Sequence, residues 1–215
     1  YNDERGWHLL GNTYTCGLRW NAGLWNLIGV NDIAKIWKES IHNYIDLDPG
    51  GFIPPHNGFF IRVSDENNAL TIPQLSRVHT PQNWYKESQR QTLTLTAQSL
   101  ENNTATICRV RFDEMATYAF DNELDCAYLS GFQQPPAFYT CSTYGDRLST
   151  NTLPFDEETT VNLFFKKGIS ASYRFDAEGI ETFPEGVKII LVDEKLNIST
   201  DLMIQPYHQF TAAAD

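Results

Sequence analysis

The chain has 215 residues, 13 % of them aromatic and 41 % hydrophobic, and carries a formal net charge of −11, a composition that excludes a disordered tail and predicts a folded domain with a sizeable core. With no basic run longer than Lys166–Lys167, the acidic balance argues against nucleic acid or anionic lipid as a partner and favours neutral partners such as sugars. No apolar run approaches the roughly 20 residues of a membrane-spanning helix, so no membrane insertion is expected.

The chain opens at Tyr1 on strand-like sequence with no charged-then-apolar leader, and is read as a segment of a longer, multidomain precursor. In chain order, Asn31–Trp37 (NDIAKIW) predicts one helical turn before a strand, and Gly58–Val63 (GFFIRV) begins a series of period-two segments. The series continues through Gln91–Ala97 (QTLTLTA), Ala105–Phe112 (ATICRVRF), Thr160–Phe165 (TVNLFF), Ser172–Phe175 (SYRF) and Val187–Val192 (VKIILV). Such alternation marks half-buried strands. Turn formers at Asp48–Gly51, Ser64–Asn68, Glu101–Asn103 and Pro184–Gly186 separate them. Asp113–Phe120 predicts a short helix with Asp113 as N-cap. Without strand–helix–strand alternation, the expected class is all-β, an antiparallel, jelly-roll-like β-sandwich. One module over 1–215 is expected, with a possible internal seam near 81–90, where Trp84 and Tyr85 interrupt a polar stretch.

Four cysteines, Cys16, Cys108, Cys126 and Cys141, lack the CxxC or Cys/His spacing of zinc or redox sites. Cys126 and Cys141 flank a stretch containing Gly131 and Pro135–Pro136. A hairpin there would bring them face to face in a disulfide; free buried thiols are the alternative.

The densest group of hard oxygen ligands is Asp113, Glu114, Asp121, Glu123 and Asp125. Calcium takes six to eight oxygens from such loops, so a structural calcium on Asp113, Asp121 and Asp125 is one reading; capping and loop fixation is the other. No nucleophile elbow surrounds any serine, and His56 and His79 fall in turn-like sequence, so no catalytic residue is assigned. Aromatic rings remain, because a sugar's C–H face stacks on them while amides and carboxylates hold its hydroxyls. Trp20, Trp25, Tyr44 and Trp84 are the candidate ligand-binding residues. Trp25, in Asn21–Ile28 (NAGLWNLI), and Tyr44 are the leading exposed platforms, with core packing as the alternative.

Gly6–Trp20 (GWHLLGNTYTCGLRW) resembles the GW-x-L-x-GNPYPS-x-x-D-W stretch of surface proteins that Bacteroidetes export by type IX secretion. Ala34–Trp37, Gly51–Val63 (GFIPPHNGFFIRV), Leu70–His79, Arg111–Leu129 (RFDEMATYAFDNELDCAYL), Ser149–Pro154 and Ala177–Glu185 continue the likeness in register. Thr13 and Thr15 stand where the family has prolines, Arg19 replaces its acidic residue, and Cys126 takes a common alanine position. The chain also stops at Ala212–Asp215, before the R-F-x-x-x-F strand the family would lead one to expect. The resemblance implies a β-sandwich module upstream of a C-terminal sorting domain, an extracellular or cell-surface location, and core roles for Trp7, Trp20 and Trp37. It carries no catalytic activity over. The expected function is a non-catalytic accessory module that binds polysaccharide or a cell-surface glycan, or is adhesive; a structural spacer without its own ligand is the alternative.

Overall fold

The computed structural model describes residues 6–23, 25–64, 67–78, 91–131, 133–156, 158–169 and 171–212. Its first half contains β1 (Trp7–Gly11), β2 (Gly17–Arg19), β3 (Asn26–Ile28), β4 (Ala34–Lys38), β5 (Asn43–Leu47), β6 (Phe52–Ile53), β7 (Gly58–Arg62), β8 (Ala69–Thr71) and β9 (Arg77–Val78). The second half contains β10 (Thr92–Ser99), β11 (Ala105–Phe112), β12 (Cys126–Ala127), β13 (Ala137–Cys141), β14 (Arg147–Leu153), β15 (Leu163–Lys166), β16 (Ala171–Glu178), β17 (Ile190–Asp193), β18 (Ile198–Asp201) and β19 (Tyr207–Ala212). The fold is all-β and sandwich-like.

A four-stranded sheet runs β1-β7-β4-β5, beside the small sheets β6-β2-β9 and β3-β8. An eight-stranded sheet runs β15-β13-β14-β11-β10-β16-β19, with β12 also on β14, and β17–β18 forms a separate hairpin. Among the described residues one pair departs from the antiparallel expectation: β11 and β14 run parallel, Arg109 opposite Thr150.

Two apolar cores result. Leu18, Trp20, Trp25, Ile36, Ile53 and Phe59 belong to the first. Leu93, Leu95, Val110, Phe138, Phe175, Leu191 and Leu202 belong to the second, where Phe138 stacks on Phe175 at 4.8 Å. β10 shows why the strands form: Leu93, Leu95 and Ala97 are buried while the intervening threonines are half-buried, the period-two pattern of a covered face.

Between the cores lies a buried polar layer. Lys35 Nζ meets Asp46 Oδ1 at 2.5 Å and Ser149 Oγ at 2.8 Å. Thr150 Oγ1 donates to Asp46 Oδ2 at 2.5 Å. Arg109 and Arg111 both reach Asp48 Oδ2, at 3.0 and 2.8 Å, and Asn43 Nδ2 donates to the Ala105 carbonyl at 3.0 Å and to Thr106 Oγ1 at 2.7 Å. Burial opposes charge on Lys35, but the Asp46 carboxylate more than offsets it and raises the lysine's pKa. Burial likewise acts against ionised Asp46, yet Lys35, Arg109 and the Thr150 hydroxyl lower its pKa on balance.

This layer explains one departure from the expected elements. The turn of helix expected at 31–37 is instead a strand from Ala34, because β4 is covered on both faces: Ala34 and Ile36 enter the apolar core while buried Lys35 enters the polar layer. Asp113–Phe120 is a run of turns, not a helix, with Asp113 Oδ1 accepting from the Met115 amide at 3.0 Å. The Cys126–Cys141 disulfide does not form, and the described cysteines are free thiols. β12 and β13 pair with β14 rather than with each other, Cys126 opposite Thr150 and Cys141 opposite Arg147. Three residues along a strand span ~10 Å, beyond the ~7 Å Cα separation a disulfide tolerates. The expected seam at 81–90 and Trp84 lie outside the described residues.

Candidate functional site

Trp20 and Trp25 are not platforms. Both are buried, with ring centroids 4.9 Å apart, and Trp20 also packs on Phe59 at 5.8 Å. Gly23 turns the chain at φ +75°, a conformation glycine adopts without steric penalty, and the segment returns Trp25 to the core, so neither indole has a face open to a sugar. Tyr44 is half-buried on the four-stranded sheet, edge-on to Trp37 at 5.2 Å and to Phe60 at 5.3 Å.

The three aspartates proposed as a calcium set are spoken for as well. Asp121 accepts from the Thr117 amide at 2.6 Å and the Thr117 hydroxyl at 2.9 Å. Asp125, fully buried, accepts from the Thr152 amide at 2.6 Å and the Asp121 amide at 2.9 Å. With Asp113 turned to the Met115 amide, these carboxylates fasten the 113–125 loop rather than converge on a common point. Glu114 is exposed.

Burial pushes the Asp125 carboxyl up to about 7, against the two amide donors that favour its ionised form. The folded state therefore holds a proton that the unfolded chain releases near the ordinary value of 3.8. For this group stability is greatest at acid pH, falls as pH rises from about 4 to about 7, and is flat above, a change of about 4 kcal/mol. In Asp125→Asn that slope shrinks, while an NH2 facing an amide donor lowers stability at pH 5 by about 1–3 kcal/mol. Urea unfolding of both proteins at pH 5 and 8 checks this; equal slopes would contradict it.

Beside β14 lie three exposed aromatic residues that the sequence reading missed. Tyr118, Tyr144 and Phe155 are 42, 85 and 49 % exposed; Tyr144 precedes the strand, Phe155 follows it, and the Tyr118 loop bonds to both segments. The Thr143 amide and hydroxyl both donate to the Tyr118 carbonyl at 2.9 Å. The Tyr118 hydroxyl donates to Asp156, a contact that raises the phenol's pKa. Phe155 stacks on Phe112 at 6.1 Å, and Ser142 Oγ donates to Asp146 at 2.8 Å, closing the turn that carries Tyr144. Rings left in water at loop tips, with hydroxyls and carboxylates fixed among them, offer stacking surface beside hydrogen-bonding groups. The readable signal was Tyr144 inside Ser142–Asp146 (STYGD), an aromatic where a turn wants only small and polar residues.

A second feature is an open groove of about 480 Å³ along β18 and the start of β19, walled by Ile198, Ile204 and Tyr207 and edged by Asp201, Gln205 and Gln209. Thr200 and His208 also line it; His208 Nε2 lies 3.2 Å from Asp193 Oδ2, and His208 Nδ1 lies 3.4 Å from Thr200 Oγ1. The order Asp–His–Thr is that of a hydrolytic triad, but Thr200 and His208 are both buried, and Thr200 sits opposite Leu191 in the hairpin. The chain of contacts ties the β17–β18 hairpin to β19. The buried thiols of Cys108 and Cys126 are pushed up to about 12, far from the range of a nucleophilic cysteine.

No protein-family model, no curated protein and no solved structure matches this chain. Among the described residues no helix is long and apolar enough to cross a membrane.

Proposed function

We propose that the chain is a non-catalytic, carbohydrate-binding module of a larger exported protein, and that it binds a neutral or weakly polar glycan at the Tyr118–Tyr144–Phe155 face. The carrying observation is that three exposed aromatic residues stand on segments hydrogen-bonded through Tyr118, to Thr143 on one side and Asp156 on the other. Thr143, Asp146 and Asp156 beside the rings supply partners for sugar hydroxyls. The charge of −11 favours such a ligand over polyanions. The motifs that resemble those of type IX-exported surface proteins support an extracellular or cell-surface location.

The test is retention of the protein on a panel of soluble and insoluble polysaccharides. Retention on one glycan class, lost in Tyr118→Ala and Tyr144→Ala, supports the reading. Absence of retention on every member sinks it and leaves the spacer role.

A further inference from the structure

The turn before β4 and the loop before β12 each carry a buried amide oxygen without a hydrogen-bond partner among the described residues. Asn31, 1 % exposed, donates its Nδ2 to the Asn122 carbonyl at 2.6 Å and the Asp125 carbonyl at 3.1 Å. That pairing fixes the amide's orientation, since a flip would set oxygen against oxygen. Its Oδ1 is buried with no hydrogen-bond partner among the described residues, and so is Oδ1 of Asn122, whose Nδ2 reaches the Val30 carbonyl at 3.4 Å. Two orphaned acceptors on facing residues are uncommon, because each such group carries a desolvation penalty of about 1–3 kcal/mol. Two carboxylates flank them. Asp32 is half-buried and hydrogen-bonded by the Asn21 side chain, and exposed Glu123 acts on it as a like charge.

We propose that Asn31, Asp32, Asn122 and Glu123 form a site for a divalent cation of the calcium class, which clamps the turn before β4 to the loop before β12. Two amide oxygens, two carboxylates and water supply the six to eight oxygen ligands calcium takes, and irregular loops suit its flexible geometry better than magnesium's strict octahedron. Among the described residues no three of His, Cys, Asp and Glu converge on one point, so the amides matter as much as the carboxylates. With only two negative ligands the dissociation constant falls in the weak range of extracellular modules, about 10⁻⁴ to 10⁻³ M. The cation satisfies the two orphaned oxygens and relieves the repulsion between Asp32 and Glu123; a bridging water does only the first. The calcium anticipated in this loop thus moves from Asp113, Asp121 and Asp125 to the residues alongside them.

Terbium reads the site directly, because Trp20 Nε1 lies 2.6 Å from the Asp32 carbonyl, so an ion there is close enough for the indole to sensitise its emission. Indole-excited terbium luminescence is expected with wild type and Asp113→Asn, displaced by millimolar calcium, and at least tenfold weaker in Asp32→Asn/Glu123→Gln. The wild-type melting temperature is expected to rise in calcium relative to chelator, which keeps the test valid should the double variant unfold. Absence of sensitised emission, equal emission from the double variant, loss of emission in Asp113→Asn, or a melting temperature indifferent to calcium would each overturn the site.

Discussion

Asp46→Ala is expected to lower the unfolding free energy by about 3–5 kcal/mol, the largest single loss among the polar positions. The substitution leaves the Lys35 ammonium, in a layer between two apolar cores, with the Ser149 hydroxyl at 2.8 Å and the Trp7 ring at 5.7 Å but without a counter-ion at contact distance. Lys35→Met is expected to be milder, because Asp46 keeps the Thr150 and Ser149 hydroxyls at 2.5 and 3.0 Å and the field of Arg109. The order of the two losses, read from urea denaturation at pH 7, distinguishes a charge held by several partners from one held by few. Equal or inverted losses would contradict the arrangement. The pH dependence follows the signs. Asp46, lowered below 3.8, contributes fully above that value, and the contribution disappears as pH falls through its folded pKa. Lys35, raised above 10.5, contributes fully below that value and loses its effect as pH rises through the folded pKa. The ion pair therefore leaves a plateau across neutral pH, on which the Asp125 slope stands out.

Removing the rings at the proposed face is expected to act on binding and not on folding. Tyr144 is 85 % exposed, and its truncation leaves no cavity. A stacking ring contributes about 0.5–1.5 kcal/mol beyond the area it covers, so Tyr144→Ala weakens glycan binding about tenfold. Tyr118→Ala is expected to act comparably and also releases Asp156 from the phenol. The double variant is expected to bind at least 50-fold more weakly with an unchanged melting temperature, measured by affinity electrophoresis and calorimetry. Unchanged binding in the double variant would remove these rings from the site.

The sequence was most informative where one strand face meets an apolar core and the other meets a polar layer. Ala105–Phe112 was bounded correctly because its Arg and Thr side chains face polar partners while Cys108 and Val110 enter the core. β4 was misread for the reverse reason: buried Lys35 breaks the expected alternation, and its partner Asp46 becomes visible only once the two strands pair. β14 (RLSTNTL) escaped notice as a strand because its hydroxyl-rich residues are buried against Asp46, Asp125 and β12 rather than against hydrocarbon. Trp25 could not be told from a surface tryptophan, since burial depends on where the Gly23 turn sends it. The Asn31–Asn122 contact spans 91 residues, a distance over which no local pattern carries information, whereas Tyr144 in its turn was there to be read.

The most direct test of the glycan-binding face is a ¹⁵N chemical-shift titration with an oligosaccharide from whichever polysaccharide retains the protein. Saturable shifts confined to residues 117–119, 142–146 and 154–156, with the 198–209 groove unmoved, are the expected result. Shifts centred on that groove or on the Trp37–Tyr44 surface, or no saturable shift at all, would contradict it.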